Sequence, residues 1–332
     1  MSRADRHPSV LVLALGGTIA MTPTSSSGVA PTLSGADLLA VVPGLRGTVV
    51  EAEDFRKLPG ASLTTGDIVD LVARLEQADR EGVDGIVVTQ GTDTLEETAF
   101  LTDLYYRGSA PVVFTGAMRS AASAGADGPA NILAAVQTAV SAAAREGGVL
   151  VVMGDEIHAA RYVRKTHTTS PAAFASPTAG PVGHLVEGTV RLRHPLRRTA
   201  PVALPPGTAS APVEVEVVTA SLGSSGLLLE GLEDKVSGLV VAAFGVGHVP
   251  QTWVAPLAAL AAAMPVVLAS RIGTGPVLTS TYAFPGSESD LLARGLIAAG
   301  PLDPYKARLL LSAHLAAGTP RAGIAEAFLG YV

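Results

Sequence analysis

The chain has no cysteine. Disulfides, thiolate metal centres and cysteine nucleophiles are excluded with it. Lysine is scarce: Lys57, Lys165, Lys235 and Lys306 are the only four, and the other basic residues are arginines. The arginine bias reflects genome composition more than function. The net charge of -6 argues against a general nucleic-acid binder. No apolar run reaches the roughly 18 residues of a membrane span. There is no G-x-G-x-x-G, no Walker A pattern and no G-x-S-x-G elbow.

What is present is apolar and ordered. Hydrophobic residues make up 48% of the 332 positions and charged residues 16%, which excludes global disorder. The opening "MSRADRHPSVLVLALGG" resembles a short signal peptide, but its apolar run passes straight into a glycine turn without a small-residue cleavage site. It reads as a first core strand, and the expected location is cytoplasmic.

Short runs of Val, Leu and Ile alternate with Ala-rich segments of helical length. "VLVLAL", "GIVVTQ", "PVVFTG" and "GVLVVMG" are apolar throughout, as strands buried on both faces of a parallel sheet are. "TTGDIVDLVARLEQADREG" (64–82), "TLEETAFLTDLYYRG" (94–108) and "GPANILAAVQTAVSAAAREGG" (128–148) carry helical spacing between polar or Gly starts and Gly stops. The alternation predicts an α/β fold with a doubly wound, mostly parallel sheet over residues 1–190. Residues 191–212, with five prolines, read as an interdomain linker. Residues 213–332 form a smaller α/β domain. Its predicted strands are "VEVEVVTA", "GLVVAAFG" and "PVVLASR"; its predicted helices are "TWVAPLAALAAAM" (252–264), "SDLLARGLIAAG" (289–300) and "PYKARLLLSAHLAAG" (304–318).

Ligands of open parallel sheets bind beyond the carboxyl ends of strands. Four strand-end stretches carry polar residues there. "LGGTIA" presents Thr18 after two glycines. "VVTQGTDTLEET" presents Thr89, Gln90, Gly91, Thr92, Asp93 and Thr94; Thr94 with Glu97 also fits a capping box, which does not need Thr92 or Asp93. "FTGAMRSAASAGADGPANI" places Arg119 in a Gly-rich loop and Asp127 before a helix, as a cap or a functional carboxylate. "MGDEIHAARYVRKTHTT" contains Lys165 among small polar residues. Asp155, Glu156 and His158 resemble loose metal ligands, but no second cluster supports them, so no metal is expected. His248 reads as a loop or interface residue. Two threonines, a carboxylate and a lysine on such loops form a nucleophilic set without Ser or Cys. A threonine hydroxyl needs a base beside it, a desolvated lysine serves as one, and N–H groups of the glycine turns form an oxyanion hole. The reaction class is acyl transfer, most simply amide hydrolysis.

These segments resemble the bacterial-type L-asparaginase family. The match runs through "GGTIA" (16–20), "TQGTDTLEETA" (89–99), "PVVFTGAMR" with "SAGADGPANI" (111–132) and "VLVVMGDEIHAARYVRKTHTT" (149–169). It continues through "GLVVAAFGVGHVP", "SRIGTG" and "DPYKARLLL", across nearly the whole chain. The resemblance implies hydrolysis of L-asparagine, and more slowly of glutamine, without a cofactor. It implies a homo-oligomer, dimer or tetramer, with no nucleic-acid or membrane partner. Carried over, Thr18 is the nucleophile; Thr92, Asp93 and Lys165 form a second polar triad, with Asp93 also holding the substrate amino group. Gly17, Gly91 and Ala117 line the pocket, and Ser62 binds the substrate carboxylate, with Gly60 or Ala61 as alternative occupants of that place.

The sequence departs from the family in three places. The loop after "GGTIA" reads "MTPTSSSGVAPTLSG" and lacks the usual tyrosine; Val29 stands near its place, and Thr24, Ser25, Ser26 and Ser27 are the nearby hydroxyls. "LPGASLTTGD" leaves the carboxylate-binding serine open, as above. His248 and Pro250 stand where asparagines are common. These changes bear on substrate identity more than on reaction class. The alternatives are a different or substituted amide, or a non-catalytic amino-acid-binding homologue.

Overall fold

The computed structural model describes residues 6–17, 19, 21–23, 29–31, 33–45, 47–145, 147–194, 196, 198–204 and 213–331. The chain divides into two compact units, Met1–Pro201 and Val202–Val332.

In the first unit the strands are β1 (Ser9–Ala14), β2 (Met21–Pro23), β3 (Val29–Pro31), β4 (Val49–Asp54), β5 (Gly85–Thr89), β6 (Val112–Thr115), β7 (Val149–Met153), β8 (Glu156–Ala159), β9 (Arg164–Lys165), β10 (Phe174–Ala175), β11 (Gly183–Val186) and β12 (Thr189–Leu192). Its helices are α1 (Gly35–Ala40), α2 (Thr65–Glu81), α3 (Leu95–Tyr105) and α4 (Gly128–Ala139). Eight strands form one sheet in the order β12-β11-β8-β7-β6-β5-β1-β4. The five from β7 to β4 are parallel, and β8, β11 and β12 extend the sheet antiparallel. The apolar runs predicted as two-faced strands are buried throughout in β5, β6 and β7. Alternate residues of β1 feed separate cores. Leu11 and Leu13 pack with Leu71 and Leu75 of α2 and Leu95 and Ala99 of α3. Val10 and Val12 pack with Leu38 of α1 and Ile132 and Val136 of α4.

That division exposes an unusual connection. From β1 the chain steps outward to β4 through α1, then returns past β1 to β5 through α2, and on to β6 through α3 on the same face. The step from β6 to β7 continues in that direction, yet its helix α4 lies on the opposite face, with α1. Three crossovers share one hand and the fourth has the other. Because about 98% of such crossovers are right-handed, the β6–α4–β7 unit is the left-handed one. Its entry loop is pinned. The Asp127 carboxylate accepts N–H bonds from Met118 and Arg119, both at 2.9 Å, and Asn131 donates to the Gly116 carbonyl at 3.0 Å. Asp127 therefore makes no side-chain cap to α4; it holds the loop.

In the second unit β13 (Val215–Thr219), β14 (Gly238–Ala243), β15 (Val266–Ser270) and β16 (Ile297–Ala298) form a parallel sheet in that order. Helices α5 (Val254–Ala263), α6 (Glu288–Ala293), α7 (Pro304–Ala316) and α8 (Arg321–Leu329) accompany it. Its core gathers Trp253, Leu257, Leu268 and Leu291. Two helix predictions were too long. Residues 289–300 are helical only to Ala293; Gly295 takes a left-handed φ of +96°, and the following residues pair as β16. The helix predicted over 128–148 stops at Ala139, and Ser141 caps a separate short turn through its side chain. The strand β12 runs to Leu192, inside the stretch read as linker, and residues 195, 197 and 205–212 lie outside the described ones.

Helix α2 carries a full capping box. Thr64 accepts from the Asp67 N–H, and the Asp67 carboxylate accepts from the Thr64 N–H at 2.9 Å and from Arg56 Nε at 2.9 Å. The Thr64 hydroxyl first, and then Arg56, hold the Asp67 carboxyl below its usual range. A depressed carboxyl contributes stability that is present above its unfolded pKa of about 3.9 and is lost as pH falls through the lower folded value. Asp67→Asn is expected to destabilise the protein by about 1 kcal/mol at neutral pH, with the difference closing progressively below about pH 4. Urea unfolding of both proteins across pH checks it; a pH-independent difference contradicts it.

Candidate active site

Among the parallel strands β1 is the turning point: its two neighbours, β4 and β5, are reached in opposite directions. The crevice beyond the carboxyl ends at such a point is where open α/β sheets bind ligands. The segments that leave β1 and β5 turn there on glycine. Gly16 and Gly17 take φ of +100° and +91°. A Cβ on Gly17 would stand 2.1 Å from the Gly91 backbone, which no side chain tolerates. Gly60, which follows β4, packs on the same point, and a Cβ on it would stand 3.2 Å from the Gly91 carbonyl oxygen. Three strand ends thus meet backbone to backbone.

The contact is held by neighbouring polar groups. The Thr94 hydroxyl donates to the Gly60 carbonyl at 2.9 Å and accepts from Gln90 Nε2 at 3.1 Å. Gln90 also donates to Thr98 at 2.9 Å, and its own N–H reaches the Thr115 carbonyl of β6. Thr94 stands at the N-cap of α3 but makes no side-chain cap bond. The expected capping box with Glu97 is not formed, because the hydroxyl is committed to Gly60.

The turn after Gly91 presents Thr92, 5% exposed. Lys165 comes to it on the β9–β10 hairpin, which packs through Val163, Ala173 and Phe174 against the α2–α3 face. Lys165 Nζ lies 3.0 Å from Thr92 Oγ1 and 2.9 Å from Asp93 Oδ1. The lysine side chain is 17% exposed and the Asp93 side chain 69%. One cation therefore bridges a buried hydroxyl and a solvent-facing carboxylate. A cavity of about 390 Å³ opens beside them, lined by Asp93, Lys165, Thr166, His167 and Thr168. That volume suits a small metabolite. A second cavity, of about 380 Å³ and mostly apolar, lies beside Ala117 on the α1–α4 face, walled in part by Ile19, Leu38 and Ile132.

The structure brings Thr92, Asp93 and Lys165 together and sets Gly17 against Gly91. Ala117 is buried beside Ile19, since a Cβ on Gly128 would meet both. Ser62 is exposed at the end of a short 3₁₀ turn, and Gly60 at its start packs against Gly91. Thr18, Thr24, Ser25, Ser26 and Ser27 lie outside the described residues; Val29 falls in β3. The loose ligands are otherwise engaged. His158 Nδ1 is 2.9 Å from Ser176 Oγ, Asp155 occupies the β7–β8 turn at φ +62°, and no metal-binding cluster occurs among the described residues. His248 pairs with the buried Glu288 at 3.2 Å in the second unit, between the rings of Tyr282 and Phe284. The sequence reading missed Glu96, whose carboxylate accepts the Lys165 backbone N–H, and Asn131. Neither has a local signal, because both act on residues distant in the chain.

Comparison with known proteins gives the family. The N-terminal asparaginase domain matches residues 9–198, and the glutaminase/asparaginase C-terminal domain matches residues 214–328. A probable L-asparaginase of Deinococcus radiodurans is 37% identical over 324 residues, 97% of each chain. L-asparaginase 2 of Escherichia coli is 34% identical, over 92% of this chain and 88% of that one. The crystal structure of a probable cytoplasmic L-asparaginase from Campylobacter jejuni superposes with a TM-score of 0.87 at 32% identity, covering 97% and 99% of the two chains. The chain belongs to the asparaginase family, as an amidohydrolase of the asparaginase type. No helix among the described residues is long and apolar enough to cross a membrane.

Gly17→Ala forces a Cβ into the Gly91 backbone at a left-handed φ. It is expected to destabilise the first unit by about 2 kcal/mol or more. Urea unfolding measures this; an unchanged midpoint contradicts the close contact.

Proposed function

We propose that the chain hydrolyses L-asparagine to L-aspartate and ammonia, with L-glutamine as a slower substrate. The observation that carries the reading is Lys165 Nζ held between Thr92 Oγ1 and Asp93 Oδ1 beside the Gly17–Gly91 contact. Thr18 follows Gly17 in the chain, and Thr92 follows Gly91.

In this reading the Thr18 oxygen attacks the side-chain amide carbon of the substrate. N–H groups of the glycine turns receive the charge that develops on the carbonyl oxygen. Thr92 and Lys165, whose Oγ1 and Nζ lie 3.0 Å apart, relay the Thr18 proton. The proton goes to the leaving nitrogen, the C–N bond breaks and ammonia departs. A water then attacks the Thr18 ester by the same route in reverse, releasing aspartate. Asp93, the exposed carboxylate at the cavity, holds the substrate ammonium group. Ser62 holds its carboxylate, and Gly17, Gly91 and Ala117 shape the pocket. We further infer a cytoplasmic homo-oligomer, dimer or tetramer, needing no cofactor. The cytoplasmic assignment draws on the Campylobacter protein, which is described as such.

A second reading keeps the reaction and enlarges the substrate. The apolar cavity beside Ala117 offers room for a substituent that free asparagine lacks.

Ammonia release from L-Asn, L-Gln and D-Asn by the wild type and Thr18→Ala tests the proposal. L-Asn is expected to be the best of the three, and the variant to lose about a hundredfold or more. Full activity in Thr18→Ala removes the assigned nucleophile. Turnover of N-substituted amides with none of free asparagine moves the assignment to the second reading.

A further inference from the structure

We propose that Glu96 is a positioning residue for Lys165, an inference that rests on the catalytic reading of that lysine. Antiparallel pairs alternate between residues that exchange two backbone hydrogen bonds and residues that exchange none. In the β9–β10 hairpin the Thr166 N–H donates to the Ala173 carbonyl at 2.7 Å, so Lys165 and Phe174, the next pair, are the non-bonded kind. The Lys165 N–H therefore points away from β10. A backbone donor turned inward must find an acceptor, and the carboxylate of Glu96 supplies it.

Glu96 sits in the first turn of α3 and is 7% exposed. Four residues earlier the same segment presents Thr92 and then Asp93. A single strand-to-helix turn thus grips Lys165 at both ends. Thr92 and Asp93 engage Nζ, and Glu96 engages the backbone from which the side chain springs. A lysine side chain has four rotatable carbons and a large rotamer entropy. Fixing its root relative to the groups at its tip restricts it to the one reach that meets Thr92. The sequence separation of 69 residues shows that this is a tertiary device and not a local turn.

What the arrangement requires is an acceptor at the reach of a glutamate, so the variants separate reach from charge. Glu96→Gln keeps an oxygen at the same distance. Glu96→Asp keeps the charge but withdraws it by about 1.5 Å. Glu96→Ala removes the acceptor. Steady-state kinetics on L-asparagine, with thermal unfolding of each variant and Lys165→Met alongside, test the proposal. Misplacement of a catalytic group by about an ångström costs up to about a hundredfold. Glu96→Asp and Glu96→Ala are expected to lower kcat by about ten- to a hundredfold with KM within about threefold, and Glu96→Gln to stay within about fivefold of the wild type. If Glu96→Ala does not fold, the Gln and Asp variants decide between them. Wild-type kcat in Glu96→Asp overturns the proposal, and so does a Glu96→Gln as impaired as Glu96→Asp. Loss of activity in Lys165→Met with an unaffected Glu96→Asp rejects the role of Glu96 alone. An active Lys165→Met instead rejects the catalytic reading of Lys165.

Discussion

The contact between the backbones of Gly17 and Gly91 is the constraint around which the first unit is arranged. Two adjacent parallel strands ordinarily diverge into their own loops. Here both chains turn toward each other, closer than any side chain permits. Gly60 closes the third side from β4, and the Thr94 hydroxyl ties it there. The residues that follow the two contacting glycines are both threonines.

The remaining parts bring charge to the point. Lys165 arrives on a small hairpin anchored in the α2–α3 core and tied to β8 through Ser176 and His158. The left-handed crossover through α4 has a complementary consequence. It carries the 116–127 loop to the α1–α4 face and leaves the α2–α3 face beside Thr92 open to the lysine hairpin. Asp127 and Asn131 hold the loop in that course.

Much of this was legible in the sequence. Strands buried on both faces are apolar without a break, so β5, β6 and β7 announce themselves, and the alternation with helices implies the doubly wound sheet. Thr92, Asp93 and Lys165 were readable because each is a polar residue at a strand-end loop, and lysine is rare in this chain. The hand of the α4 crossover was not legible, since no local pattern records which face a helix takes. Glu96 was hidden in a sequence that fits a capping box through Thr94 and Glu97. Tertiary demand from Gly60 took the Thr94 hydroxyl away from that cap. The helix predicted over 289–300 failed for a similar reason: apolar spacing continues past Gly295, but the left-handed turn there redirects the chain into the sheet.

The central claim is a division of labour: the threonine after Gly17 carries the acyl group, and the one after Gly91 carries its proton. Rapid acid quench during turnover of L-asparagine, followed by peptide mapping with mass spectrometry, tests it most directly. A β-aspartyl ester on the peptide bearing Thr18, with the peptide bearing Thr92 unmodified, is the predicted result. An ester on Thr92 would contradict the assignment of both residues.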